Sequence, residues 1–228
     1  MQLVGAALPR TGTMSLAQAL RELTGAPSYH MTEWFRRPAD SRTWAAALRG
    51  EEVDWARFLA DYEAGVDTPF CLAWRQVADA FPEAPVLLTR RADPRTWWES
   101  MDATVLPAIR RWRGLGPVED LPEDDLPPWL ADVPAGERDD MVEVARALAE
   151  RLLGSPEALD DPVAAMRSYE DWGRQVRDEV PPERLVEWQP GDGWGPLAQA
   201  LGVPVPRTPF PRVNTRAEFA ARSGPPTA

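Results

Sequence analysis

A short apolar segment, a glycine loop and an amphipathic helix follow one another at the start of the chain. Residues 2–7 are apolar, Gly12 lies in the loop between Thr11 and Thr13, and residues 15–23 place apolar side chains at helical spacing. The first backbone N–H groups of such a helix, with the two threonine hydroxyls, surround one point where a phosphate or sulfate binds. The order predicts a strand, an anion-binding loop and a helix.

The rest of the chain alternates predicted helices with two further strands. The strands are expected at 84–90 and 185–188, residues 65–69 should be extended, and the acidic, proline-rich residues 114–136 predict an irregular surface segment. Helical spacing predicts helices at 43–49, 54–64, 70–80, from about 94, and at 137–153, 162–179 and 195–201. Strands separated by helices predict an α/β fold with a mostly parallel sheet, whose ligands gather at the carboxyl ends of the strands.

Composition limits the chemistry that is available. The net charge of −11 argues against nucleic-acid binding, and all 25 basic residues are arginine, so any phosphate clamp here must use arginine. Cys71 and His30 are the only residues of their types, which excludes an intramolecular disulfide, a thiolate cluster and a multi-histidine metal site. No window resembles a signal peptide or a membrane span, so we expect a cytoplasmic protein that has no membrane partner.

The loop differs from the phosphate loop of ATP-binding proteins. The pattern GxxxxGK[ST] fails here at the lysine, because Thr13 follows Gly12. Arg10 instead lies inside the loop, ahead of Gly12. The loop therefore indicates a different design for holding an oxyanion, in which an arginine supplies the positive charge.

The chain resembles the P-loop sulfotransferases, in particular a bacterial and fungal group whose sequences open with a loop similar to GLPRTGTxSL. The resemblance rests on segments in a matching order and spacing: LPRTGTMSL (8–16), SYHM (28–31), VDTP (66–69), LLTRRADPRTWWES (87–100), GWGPL (193–197) and PFPRVN (209–214). It implies a P-loop NTPase-like three-layer fold over a single domain, residues 1–228. About 101–180 would form a helical acceptor region or lid, and we expect a disordered tail at about 223–228.

The resemblance also implies a reaction and the residues that serve it. The donor would be 3′-phosphoadenosine 5′-phosphosulfate, with no metal required. Arg10 would neutralise the charge on the bridging oxygen, and an arginine with Ser100 would bind the 3′-phosphate. The usual spacing between this arginine and the serine is eight residues, whereas Arg91 is nine residues from Ser100. The arginine is therefore Arg91 or Arg90. The implied nucleotide-site residues are Pro9, Arg10, Thr11, Gly12, Thr13, Met14, Ser15, Arg90, Arg91, Ser100, Arg212 and Asn214.

A base must take the proton of the acceptor, a hydroxyl or amine of a small molecule. His30 is the first candidate because an unperturbed histidine pKa of about 6.5 suits this task. Asp67 is the second candidate and Glu33 the third. Each has a structural alternative: His30 could bond a neighbouring element, and Asp67, which precedes Thr-Pro, could form a turn or cap.

Two other functions are compatible with the sequence. One is a P-loop small-molecule kinase, which the missing lysine opposes, and the other is a catalytically inactive nucleotide-binding protein that acts through a partner. A homodimer is also compatible with the sequence.

Overall fold

The computed structural model describes residues 1–121 and 126–213, and a parallel sheet forms its centre. The strands are β1 (Leu3–Gly5), β2 (Ser28–Tyr29), β3 (Ala64–Gly65), β4 (Val86–Thr89) and β5 (Leu185–Trp188). They pair in the order β2-β3-β1-β4-β5, and every pairing is parallel. β1 and β4 are entirely buried, as expected of parallel strands covered on both faces. The predicted α/β class with a mostly parallel sheet is confirmed.

Helices cover both faces of this sheet. They are α1 (Thr13–Thr24), α2 (Met31–Arg36), α3 (Ser41–Arg49), α4 (Trp55–Phe58), α5 (Trp74–Ala80), α6 (Pro94–Asp102), α7 (Leu106–Arg113), α8 (Pro128–Ala131), α9 (Ala135–Arg151), α10 (Pro162–Glu179) and α11 (Gly195–Leu201). No helix in the described part of the chain combines the length and apolarity needed to cross a bilayer.

The two-residue period of the strands divides the core between the two faces. Leu3 and Leu87 point to one side, where they pack with Leu16 of α1 and Leu197 of α11. The neighbouring positions, including Val4 of β1 and Val86 and Leu88 of β4, belong to a larger cluster that also takes in α3, α6, α7, α9 and α10. The result is the expected three-layer arrangement of helices, sheet and helices.

Several predicted boundaries differ from the structure. The helix expected over 54–64 is limited to Trp55–Phe58, because the chain then turns into β3. β2, α2 and α7 were not predicted, and a two-residue strand is too short to show a period. The prediction of a purely irregular surface segment at 114–136 is wrong, since α8 lies within these residues and Leu130 and Val133 are buried. The tail at 223–228 lies outside the described residues.

A buried polar cluster anchors the end of the sheet that carries β2. The Tyr29 hydroxyl donates to Oδ2 of Asp40 at 2.9 Å and accepts from Nε1 of Trp44 at 2.7 Å, while Nε of Arg37 approaches the same Asp40 oxygen at 3.5 Å. Burial raises the pKa of the Asp40 carboxyl, and the Tyr29 hydrogen bond and the Arg37 charge only partly oppose this effect. Asp40 thus holds α2 and α3 in place at the cost of a desolvated charge.

Replacing Asp40 with asparagine tests this arrangement through the pH dependence of stability. A raised pKa means that the folded state binds the proton more tightly, so the contribution of Asp40 to the free energy of unfolding is greatest at low pH and falls as pH rises through the folded pKa. The free energy of unfolding of the wild type, minus that of Asp40→Asn, should therefore decrease as pH increases from about 3.9. Urea titrations at several pH values measure it, and a difference that grows with pH would contradict the buried carboxyl.

Candidate functional site

The carboxyl ends of the strands open into one cavity of about 660 Å³. His30 follows β2, Asp67 follows β3 after one intervening residue, the loop containing Arg10 follows β1, Arg91 follows β4, and Pro190 follows β5, and all of them line the cavity. The strand order therefore arranges these groups along one edge, from His30 through Asp67, the loop and Arg91 to Pro190. Of these residues, Arg10, His30, Asp67 and Arg91 were predicted from the sequence, and they are brought together where α/β folds bind ligands.

Left-handed backbone shapes the loop between β1 and α1. Gly12, the N-cap of α1, has φ 100°, and a side-chain carbon at this position would lie 3.1 Å from the Trp188 ring and 3.2 Å from Pro190. Arg10 also has a positive φ of 65°. Glycine is the residue that meets both demands at position 12, because it has no Cβ to clash or to oppose a positive φ.

Hydrogen bonds from two tryptophans hold the start of the loop. Nε1 of Trp97, on α6, donates to the Pro9 carbonyl at 3.0 Å, and Nε1 of Trp172, on α10, donates to the Ala6 carbonyl at 3.0 Å. Trp97 is fully buried and stacks on Tyr169 with a ring separation of 4.5 Å. Trp97 is therefore a core residue that also fixes the position of the loop.

The hydroxyls of the two loop threonines already have hydrogen-bond partners within the protein. Thr11 is buried, and its hydroxyl donates to the Leu8 carbonyl at 2.6 Å and contacts the Thr89 hydroxyl. The Thr13 hydroxyl donates to Oδ2 of Asp67. Thr13 and Asp67 both line the cavity, and the role of the two hydroxyls at the anion stays a prediction. The backbone N–H groups of the first turn of α1 remain as the donors, and no acidic residue in that turn opposes an anion.

Arg10 and Ser100, which the sequence assigned to opposite ends of the nucleotide, are in contact. Nε of Arg10 donates to the Ser100 hydroxyl at 3.1 Å, and Ser100 is buried on α6. The helix that follows β4 is thus tied to the loop that follows β1. The assignment of Ser100 to the 3′-phosphate stays a prediction.

The adjacent arginines Arg90 and Arg91 differ in their surroundings. Nε of Arg90 lies 2.8 Å from Oε2 of Glu187, a carboxylate that also receives two hydrogen bonds from Arg177. Arg91 lines the cavity, and its backbone N–H donates to the Tyr169 hydroxyl at 2.7 Å. The structure therefore favours Arg91 over Arg90 as the cation on the cavity.

Residues 210–213, at the end of the described chain, form the cavity wall beside β5. The Val213 backbone N–H donates to the Ser15 hydroxyl at 3.1 Å, and the Phe210 ring lies 5.5 Å from Trp188 and 4.9 Å from Trp194. Arg212 and Met14 line the cavity as well. Asn214 lies outside the described residues.

Sequence reasoning missed Trp188, Pro190 and Phe210 as cavity walls. The available signal was the run Pro190-Gly191-Asp192-Gly193 directly after the last predicted strand, which is typical of a loop at a sheet edge.

His30 is held by the backbone of α2 and by Asp67. Its Nδ1 accepts from the Thr32 backbone N–H at 3.2 Å, so it is the N-cap of α2, and the Thr32 hydroxyl lies 3.3 Å from the same nitrogen. Its Nε2 lies 3.2 Å from Oδ2 of Asp67, an ion-pair distance without the alignment of a hydrogen bond. With Nδ1 accepting from Thr32, a neutral ring carries its proton on Nε2.

Asp67 is buried and surrounded by donors. Besides the Thr13 hydroxyl, the backbone N–H of Thr68 donates to its Oδ1 at 2.7 Å and the Thr68 hydroxyl does so at 3.1 Å. Burial by itself raises the pKa of the Asp67 carboxyl, but the charge of the His30 ring and these hydrogen bonds outweigh burial and lower the pKa below its ordinary value. Asp67 is therefore a carboxylate at neutral pH, with a positive φ of 70° in the turn after β3.

Comparison with known proteins agrees with this geometry. A family model described as a sulfotransferase domain matches residues 2–219. The chain is also 30% identical over 226 residues to Ava biosynthesis cluster protein M of Aspergillus versicolor, an alignment that covers 94% of this chain and 81% of the relative. The chain belongs to the sulfotransferase-domain family.

Proposed function

We propose that the protein transfers a sulfuryl group from 3′-phosphoadenosine 5′-phosphosulfate to a hydroxyl or amine of a small-molecule acceptor. The observation that carries the proposal is that one cavity contains two cationic positions, Arg10 in the loop after β1 and Arg91 after β4. A nucleotide with a phosphosulfate and a separate phosphate needs two such positions, and arginine suits both because it binds oxyanions through two parallel N–H groups.

The other walls of the cavity fit this donor. A volume of about 660 Å³ lies within the range of roughly 300–1,000 Å³ that is usual for small-molecule sites. Trp188 and Phe210 supply aromatic surface for a flat base beside β5, and Arg212 adds a third positive charge. The donor would therefore extend from the loop across β4 towards β5, which leaves the β2 end of the edge for the acceptor.

Electrostatic stabilisation is the main task of the loop in such a reaction. The donor supplies an activated sulfuryl group, whose S–O bond to the 5′-phosphate breaks as the bond to the acceptor forms. The N–H groups at the start of α1 hold the oxyanion, and Arg10 neutralises the charge that develops on the leaving oxygen. Because Arg10 also donates to Ser100, its side chain is held by α6.

His30 is the residue best placed to take the proton of the acceptor. To take a proton on Nε2, the neutral ring must carry its own proton on Nδ1, where the Thr32 hydroxyl, 3.3 Å away, replaces the Thr32 backbone N–H as the hydrogen-bond partner. The Asp67 carboxylate, 3.2 Å from Nε2, then stabilises the positive ring. In this scheme Asp67 acts through His30, because its own oxygens are already occupied by donors.

Ligand stabilisation tests the donor site. A saturating 3′,5′-adenosine bisphosphate, at about 100 times its Kd, should raise the melting temperature by about 5–10 °C, as expected for roughly 2.7 kcal/mol in a protein of this size. ATP with magnesium should give a clearly smaller shift. Stabilisation by magnesium ATP alone would support the kinase alternative, and binding of the bisphosphate without turnover of any acceptor would support the inactive one.

The neighbouring arginines provide a matched pair for the 3′-phosphate. Arg91→Ala should weaken the binding of 3′,5′-adenosine bisphosphate by about 10- to 150-fold, since a hydrogen bond to a charged group contributes roughly 1.5–3 kcal/mol. Arg90→Ala, which removes the ion pair with Glu187, should leave the affinity close to wild type. Isothermal titration with adenosine 5′-monophosphate is the control, because Arg91→Ala should not affect a ligand that lacks the 3′-phosphate. Equal losses in the two variants would contradict the assignment.

His30→Asn separates the proposed base from the N-cap. Asparagine can still accept from the Thr32 N–H, so α2 should keep its cap, but it cannot take a proton. We expect kcat to fall about 10²- to 10⁴-fold with an unchanged Kd for the bisphosphate, in assays of sulfated product. Retention of full turnover would move the proton transfer away from His30.

A further inference from the structure

The cavity changes character at the β2 end, beyond His30. Its wall there consists of Met31 and Phe35 of α2 and Val105, just before α7, with Thr32 as the one uncharged polar side chain among them. The Phe35 side chain is 36% exposed, and it is the one aromatic residue among the exposed large apolar side chains of the described residues. An apolar surface at the end of a polar cavity indicates a site for an apolar ligand group.

An aromatic cluster holds the Phe35 ring from behind. Its centroid lies 5.0 Å from Trp34, 6.5 Å from Trp112 and 6.4 Å from Trp129, and Trp112 and Trp129 are 5.7 Å apart. Trp34 and Trp112 are buried. The exposed ring is therefore a supported surface, and a flat ligand could pack on it without reorganising the cluster.

The charged side chains of the cavity leave no partner for a charged acceptor. Arg10, Arg91 and Arg212 face the anionic donor under the function proposed above, and Asp67 is the one carboxylate on the described lining. Both Asp67 oxygens already accept hydrogen bonds, and in the proposed scheme the Asp67 charge is paired with the His30 ring, so Asp67 is not the partner of an ammonium group on the acceptor. A sugar would likewise bury several hydroxyls against Met31, Phe35 and Val105, and unpaired polar groups are costly to bury.

We propose that the acceptor is a neutral, mainly apolar phenol, whose ring packs on Phe35 between Met31 and Val105 and whose hydroxyl points to His30. The phenol oxygen forms the new O–S bond, the S–O bond to the 5′-phosphate breaks with its electron pair on the leaving phosphate, and the phenolic proton passes to His30. A phenol with a pKa near ~10 suits this base far better than an aliphatic alcohol does. This inference rests on the proposed function and narrows its acceptor.

The test uses 2-naphthol with the full-length protein. Turnover should favour 2-naphthol over 2-naphthylmethylamine, which is a cation at neutral pH, and over glucose, by at least about 100-fold in kcat/KM. Phe35→Ala should raise the KM for 2-naphthol about 10-fold with little change in kcat, and Phe35→Leu should recover part of this loss. Val163→Ala, an exposed position at the start of α10, is the control and should match the wild type.

Measurements on the nucleotide distinguish the two proposals. The Kd for 3′,5′-adenosine bisphosphate should be the same in Phe35→Ala and the wild type, which shows that the donor site is intact. If the wild type binds the bisphosphate, three results would overturn the phenol proposal alone. They are a preference for glucose or the amine, an unchanged KM for 2-naphthol in Phe35→Ala, and no reaction with 2-naphthol. Failure of the wild type to bind the bisphosphate would instead overturn the proposed donor site.

Discussion

The turn at Gly12 is the constraint on which the rest of the site depends. β1 is the middle strand of the sheet, and the chain must reverse from its carboxyl end into α1 beneath the Trp188 ring and Pro190. A left-handed backbone and the absence of a side chain allow both the reversal and the close approach of β5. The start of α1 is thereby brought to the cavity, where its N–H groups can meet an anion.

Hydrogen bonds connect this turn to the helices that follow in the sequence. Trp97 of α6 and Trp172 of α10 bind carbonyls at the end of β1 and in the loop, and Ser100 accepts from Arg10. These contacts use the polar edge of a tryptophan whose body is packed in the protein, a common way to satisfy a buried carbonyl. The loop is thus part of the core packing, and its geometry is shared with the helices around it.

The strand order also gives the edge of the sheet a direction. Positive side chains and aromatic rings lie towards β4 and β5, whereas His30 and Asp67 lie towards β2 and β3. A donor and an acceptor can then approach the loop from opposite ends. His30 combines two roles in this plan, because its Nδ1 caps α2 while its Nε2 faces Asp67.

The sequence by itself determined the α/β class, the strand-loop-helix start and the bounds of α10 and α11. These follow from local signals: a period of 3.6 residues, short apolar runs, and a glycine before a helix. It could not give β2, whose two residues carry no period, or the buried α8, whose proline-rich acidic surroundings are typical of surface loops. Only the tertiary structure decided that Arg91, and not Arg90, lines the cavity, and that Phe35 ends the cavity as an exposed ring. It also decided which protein groups bind the hydroxyls of Thr11 and Thr13. Each of these depends on partners such as Glu187, Thr89, Asp67 and Trp112, which are distant in sequence, and sequence spacing carries no information about which of two neighbouring side chains such a partner will meet.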